Sequence, residues 1–214
     1  MDIPILFQDS RFVVLDKPAG LKVHGGPGGG PSVEDFFPAL SRRKDGPWLA
    51  HRLDADTAGC LVVALRRAAL LAAQAEFAAG RADKTYWAVV EGGPADAAGV
   101  LDAPLLKQVN KAGWRMRLDP AGQRAVTDWR VMGRGAGMAW LELRPRTGRT
   151  HQVRVHAAAL GCPLLGDATY GGGEGQMHLL ARSISLALMP LVAAVAPVPA
   201  HMRAAMRSCG WDGT

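Results

Sequence analysis

The run Cys60-Leu61-Val62-Val63-Ala64-Leu65 constrains the fold more than any other stretch of the chain. It is continuously apolar and of strand length. A half-exposed strand alternates polar and apolar side chains, so an unbroken run fits a strand covered on both faces. Directly before it comes Ala50-His51-Arg52-Leu53-Asp54-Ala55-Asp56-Thr57-Ala58-Gly59, which is polar, charged and closed by glycine. A charged loop feeding a buried strand hangs its side chains on a rigid support, a common way to place chemistry.

Other elements follow from the same reasoning. Phe12-Val13-Val14-Leu15 reads as a short strand closed by Asp16-Lys17-Pro18. The Gly- and Pro-rich segment 25–31 lacks the spacing and the Lys-Ser/Thr of a P-loop, so it reads as a flexible connection. Residues 67–79 are rich in alanine and leucine, with Leu70, Gln74 and Phe77 at helical spacing and Gly80 as the stop. Residues 84–91 read as a strand, and several short strands are expected between 101 and 131. Residues 139–143 form another strand, and 145–149 a turn. Thr150 is a suitable N-cap for a helix through Leu160, with Gly161 just beyond. The tail, with Pro190, Pro197 and Pro199, reads as extended. Strands and helices mix without strict alternation, so the expected class is α+β.

The 214 residues suit one large domain or two closely joined lobes, and 49% hydrophobic residues suffice for a core. A formal charge of +6 favours a polyanionic partner. Cys60, Cys162 and Cys209 lie far apart with no CxxC pair, which disfavours a zinc ribbon or a disulfide framework. Cys60 reads as a small core residue. The six histidines form no HExxH, and His151 and His156 would diverge by about 140° on a helix, so no catalytic metal is expected. Residues 1–9 carry no secretory signal. Residues 186–198 are interrupted by proline and too short to span a bilayer, so a soluble cytoplasmic protein without membrane attachment is expected.

Three stretches concentrate polar side chains: His51-Arg52-Leu53-Asp54, Lys84-Thr85-Tyr86, and the run from Arg146 to His156. On the helix expected in the last, Val153, His156, Ala157 and Leu160 share one side and His151, Arg154, Val155 and Ala158 the other. Arg154 is thereby directed away from the core face, toward a cleft where it can grip a carboxylate with two hydrogen bonds. Arg149 and the N–H groups after Thr150 suit a phosphate, and equally a solvated basic helix end. His156, on the core side, reads as a hydrogen-bonded structural histidine. Asp54 alone is compatible with a cap or a surface ion pair, and Tyr86 with a core position or with stacking on an extruded base. Asp54 and Asp56 on one loop do not flank a substrate as a glycosidase pair does.

Taken in order, these stretches resemble the RluA-type family of RNA pseudouridine synthases. His51-Arg52-Leu53-Asp54 matches the family's HRLD motif, with Thr57, Gly59 and an apolar strand after it. Lys84-Thr85-Tyr86-Trp87-Ala88 looks like its K-x-Y-x-A strand. Residues 146–156 resemble its TGRTHQ-x-RVH segment. Leu160-Gly161-Cys162-Pro163-Leu164-Leu165-Gly166-Asp167 with Tyr170-Gly171 fits LG-x-P-I-x-GD…YG, and Asp16-Lys17-Pro18-Ala19-Gly20-Leu21 with Val23-His24 fits DKP-x-GL-x-VH. Ala58 and Cys60 depart from the usual Ser and Leu, and Leu180 stands where many relatives carry His.

The resemblance implies the pseudouridine synthase fold, a bent, mixed and mostly antiparallel sheet with flanking helices and a central cleft. One catalytic domain would span 1–214, without a separate S4 domain. Asp54 would be the essential carboxylate, Tyr86 would pack on the flipped base, and Arg154 would pair with Asp54, keeping it ionised and aimed. His51, Arg52, Arg149, Thr150 and His151 would contact RNA. The substrate would be a structured rRNA or tRNA, the enzyme a monomer, and no cofactor would be needed because the reaction is redox-neutral.

Overall fold

A computed structural model describes residues 2–26, 29–42, 45–110 and 113–213. In chain order the strands are β1 (Ile5–Gln8), β2 (Phe12–Lys17), β3 (Trp48–Leu49), β4 (Ala58–Ala64), β5 (Asp83–Glu91), β6 (Ala98–Asp102), β7 (Leu105–Asn110), β8 (Gly113–Leu118), β9 (Val126–Gly135), β10 (Met138–Pro145), β11 (Leu179–Leu186) and β12 (Val192–Val195). The helices are α1 (Phe37–Leu40), α2 (Arg67–Ala78), α3 (Gln152–Ala159) and α4 (Ala200–Ser208). The class is α+β, as expected. Part of the glycine-rich connection, Pro27 and Gly28, lies outside the described residues.

The chain divides into two compact units, one of Met1–Lys84 with Leu180–Pro197, the other of Thr85–Leu179 with Val198–Thr214. In the first unit β2 pairs antiparallel with β1 and β4, β3 pairs antiparallel with β4, and β12 pairs antiparallel with β11. The β4–β11 pair is parallel, with Leu180 beside Ala58 and Ala181 beside Gly59. Every residue of β4 is buried, as its unbroken apolar run requires. Gly59, the second residue of the strand, has φ +104°, and a Cβ there would stand 2.4 Å from the Ala181 carbonyl oxygen. Only glycine permits that backbone and that approach. Helix α2 follows β4 and ends at Gly80, φ +68°, as its sequence indicated.

In the second unit β10 pairs antiparallel with β5 and β9, and β9 with β6. One core holds Ala88 and Val90 of β5, Ala139, Leu141 and Leu143 of β10, and Val153 and Ala157 of α3. The β7–β8 hairpin stands as a separate two-stranded sheet. Its Leu105, with Ala125 and Val155, forms a smaller core that Met116 and Tyr170 cover.

Two expectations need correction. Residues after Pro199 are not extended but form α4, with Pro199 as its N-cap. Met202 and Met206, one turn apart and fully buried, supply the apolar stripe. Helix α3 is capped not by Thr150 but by His151 in the left-handed region, φ +54°. Among the described residues no helix is long and apolar enough to cross a membrane.

Candidate active site

In the first unit the HRLD loop is held from three sides. The Ala50 N–H donates to the Val62 carbonyl at 3.0 Å, and the Val62 N–H donates to His51 Nε2 at 3.0 Å. Strand β4 thus fixes the start of the loop that precedes it. His51 packs on Phe77 of α2 with ring centroids 4.9 Å apart. Its ring must stay neutral to accept that hydrogen bond. Burial pushes its pKa down to about 4, the nearby Lys84 charge adds to this, and a backbone hydrogen bond at Arg52 opposes it.

The far side of the loop is fastened by Lys17, a fully buried lysine at the end of β2. Its ammonium donates to the carbonyls of Pro18 (2.8 Å), Leu21 (2.7 Å) and Ala55 (2.7 Å). Three donors meet three acceptors, so the buried charge is fully hydrogen-bonded. The Gly20 N–H donates to the same Ala55 carbonyl at 2.9 Å. Burial pushes the Lys17 pKa down to about 8, while the charges of Asp56 and Asp54 pull it back up. Asp54 therefore sits half-buried at the tip, between buried Leu53 and pinned Ala55, and its own carbonyl accepts the Thr57 N–H at 3.2 Å. Arg52 is exposed.

In the second unit Tyr86 lies on β5 opposite Leu143 of β10. Its half-buried ring packs on the core that contains Val153 and Ala157 of α3. The segment before α3 is fastened by Gln152. Its Oε1 accepts from Thr147 Oγ1 (2.7 Å) and from the Arg149 N–H (3.0 Å). Its Nε2 donates to the Val126 carbonyl and to Thr127 Oγ1, both at 2.9 Å. Arg149 and Thr150 remain exposed, with Arg149 Nε donating to the Arg124 carbonyl at 3.0 Å. His156 is the structural histidine expected. Its Nε2 meets the Ala103 carbonyl at 3.1 Å and its Nδ1 the Thr127 hydroxyl at 2.9 Å.

Arg154 is not on an open face. Every residue from Gln152 to Ala157 is buried, because core material covers α3 on both sides. Arg154 Nε and Nη2 each donate at 2.8 Å to Asp167, a bidentate pair. Burial would raise the Asp167 pKa, but the Arg154 hydrogen bonds and charge, with the Thr169 and Tyr170 N–H groups, hold it below the ordinary carboxylate range. The Arg154 guanidinium also lies over the Tyr170 ring, 5.1 Å from its centroid. The Tyr170 hydroxyl accepts the Met116 N–H at 3.0 Å and bonds His151 Nδ1 at 2.8 Å.

The structure thus places Asp54, His51 and Arg52 on one loop of the first unit. Tyr86 on β5, Arg149, Thr150 and His151 just before α3, and Arg154 on α3 all belong to the second. Sequence reasoning missed Lys17, Gln152, Asp167 and Tyr170 as working residues. The signals were present: a lysine closing a largely apolar strand, and the Gly166-Asp167 and Tyr170-Gly171 pairs. Cys60 is the core residue expected, its thiol pushed up to about 12 by burial. Among the described residues no group of three or more His, Cys, Asp or Glu side chains is placed to hold a metal ion.

A charged loop pinned before a fully buried strand, with a strand tyrosine and a helix-borne arginine, defines a class of protein that other chains share. The family model for RNA pseudouridylate synthase matches residues 11–159. The chain belongs to this RluA-type family of RNA pseudouridine synthases, isomerases that act on uridine in RNA. It is 40% identical over 204 residues to an uncharacterized RNA pseudouridine synthase of Zymomonas mobilis, covering 91% of this chain and 93% of that one. It is 37% identical over 206 residues to the ribosomal large subunit pseudouridine synthase D of the same organism, covering 90% of this chain but 64% of the relative. Against other relatives it spans between 51% and 70% of their length. The structure of human RNA pseudouridylate synthase domain containing 4 matches with a TM-score of 0.81 at 29% identity, covering 96% of this chain and 92% of that chain.

Proposed function

We propose that this chain converts specific uridines of a structured RNA, rRNA or tRNA, to pseudouridine, with Asp54 as the essential carboxylate. The observation that carries this reading is the Asp54 loop itself. That loop is fixed by Val62 at Ala50 and His51 and by the Lys17 ammonium at Ala55, which supports a set position for the Asp54 carboxylate, and a protein that only gripped RNA would not need one. In this reading Asp54 acts on the ribose or the base of an extruded nucleotide, the uracil detaches and rotates, and it rejoins through C5. Tyr86 packs on the flipped base, and Arg154, held by Asp167, is the third residue this reading assigns to catalysis. Arg52, Arg149 and Thr150, all exposed, contact phosphates of the RNA. His51 and His151 are assigned to RNA contact in the same reading, each with one ring nitrogen already bonded, to Val62 and to Tyr170 respectively. The relative named for the large ribosomal subunit favours rRNA. The reading includes a cytoplasmic monomer that needs no cofactor.

The test is Asp54→Asn. Pseudouridines are mapped in RNA from a strain lacking the gene, then restored with wild type or with the variant. Wild type restores one or more sites, whereas Asp54→Asn restores none while still binding RNA. Normal modification by the variant removes Asp54 from its role, and release of free uracil would mark a hydrolase instead.

A further inference from the structure

The β7–β8 hairpin carries a feature that the reaction at Asp54 does not use. Residues 105–118 contain Lys107, Lys111, Arg115 and Arg117 and no acidic residue. The register sorts its described side chains onto two faces. On one, Leu105 and Met116 pack toward α3, and Trp114 lies farther along with Val109 directly opposite. Trp114 is 47% exposed and Val109 71% exposed. On the other face Gln108 stands opposite Arg115 and Leu106 opposite Arg117, with Arg117 tied to Asp119.

A tryptophan that served only to seat the hairpin on α3 would be buried like Leu105. Trp114 instead rests on His151, with ring centroids 5.0 Å apart and planes at 30°. The Lys107 ammonium lies over the indole, 4.8 Å from its centroid. His151 is itself held by the Tyr170 hydroxyl, and exposed Arg149 and Thr150 adjoin it in sequence. An exposed indole on a rigid base with a cation beside it is the arrangement by which proteins stack unpaired bases. A flexible lysine over the ring is no barrier. An exposed cation–π contact is weaker than stacking of a base on an aromatic ring, and a displaced ammonium can turn to the adjoining phosphate.

We infer that Trp114, seated on His151 and flanked by Lys107, is a stacking ledge for an unpaired base of the RNA strand. The inference rests on the RNA reading above and adds the element that grips single-stranded nucleotides. A paired base presents no open ring face, so the ledge selects loops and bulges over continuous duplex.

The test uses the full chain and two labelled probes of equal length, oligouridylate and an abasic ribose-phosphate oligomer, with binding followed by anisotropy at fixed salt. Wild type should prefer oligouridylate. Trp114→Ala should lose roughly tenfold in affinity for it with abasic affinity unchanged, and Trp114→Phe should keep most of the preference. Lys107→Ala should lower the salt slope for oligouridylate by somewhat under one. Retention of the wild-type preference by Trp114→Ala overturns the ledge, as does an equal loss on both probes. A wild type that shows no preference also overturns it. Because binding is read without turnover, a Trp114-dependent preference in a chain that forms no pseudouridine would leave the ledge standing and remove the proposed reaction.

Discussion

Arg154 and Asp167 are joined by two 2.8 Å hydrogen bonds inside the second unit, the carboxylate fully buried and the guanidinium nearly so. A lone charge left in such a place costs far more than the pair contributes, so removing one partner is the severe change. Asp167→Asn is expected to lower unfolding stability by about 3–5 kcal/mol, read from the urea midpoint at unchanged slope. Arg154→Lys is expected to fail as a substitute, because an ammonium lacks the planar fork that meets both oxygens.

Lys17 should make stability rise with alkaline pH. In the unfolded chain its amine stays protonated up to its ordinary value of 10.5, while in the folded chain the proton leaves at about 8. Between those values the unfolded state binds more protons, so unfolding becomes harder as pH rises. The full span corresponds to roughly 3 kcal/mol. Thermal unfolding between pH 7 and 10.5 should show this rise in wild type and its loss in Lys17→Met. Because Lys17 also fastens Ala55, the variant should lower kcat by about tenfold or more through loss of alignment.

Gly59→Ala should damage both stability and turnover. The new methyl would meet the Ala181 carbonyl oxygen at 2.4 Å, with φ at +104°. Strain and clash together should cost about 2–4 kcal/mol. The residues displaced are those just after the Asp54 loop, so activity should fall even where the variant folds. A crystal structure of an active variant with β4 and β11 unmoved would refute this.

His51 gives the acid limb. The unfolded imidazole takes a proton near 6.5, whereas the folded ring resists until about 4. Stability from this group is complete above pH 6.5 and declines as pH falls toward 4, since the unfolded state binds more protons across that window. His51→Gln keeps an acceptor for the Val62 N–H without titrating. Its melting temperature should therefore fall less than that of wild type between pH 6.5 and 4.

Much of this was legible before any coordinates. The apolar run after Gly59 announced β4, the 67–80 pattern announced α2, and five ordered motifs pointed to the family. What stayed hidden depends on contacts distant in sequence. Helical periodicity placed Arg154 opposite Val153, but it could not show that the β7–β8 hairpin, through Leu105, brings a second core to the other side of α3. Nor could it show that Asp167, 13 residues on, turns back to the guanidinium. Lys17 reads as polar by composition, and only the three carbonyls around its amine explain its burial. Helix α4 was overlooked because three prolines outweighed the Met202 and Met206 spacing.

The side-by-side alignment of β4 with β11 has a consequence for biosynthesis. The residues that support Asp54 rest against Leu180 and Ala181, which a ribosome adds long after them. At about 5–20 residues per second, the delay is on the order of ten seconds. During that interval Ala58 and Gly59 lack their parallel neighbour, although the residues that hold the loop itself, Lys17, Val62 and Phe77, are already in place. A newborn chain would therefore carry the first residues of β4 with one edge unpaired until β11 is added.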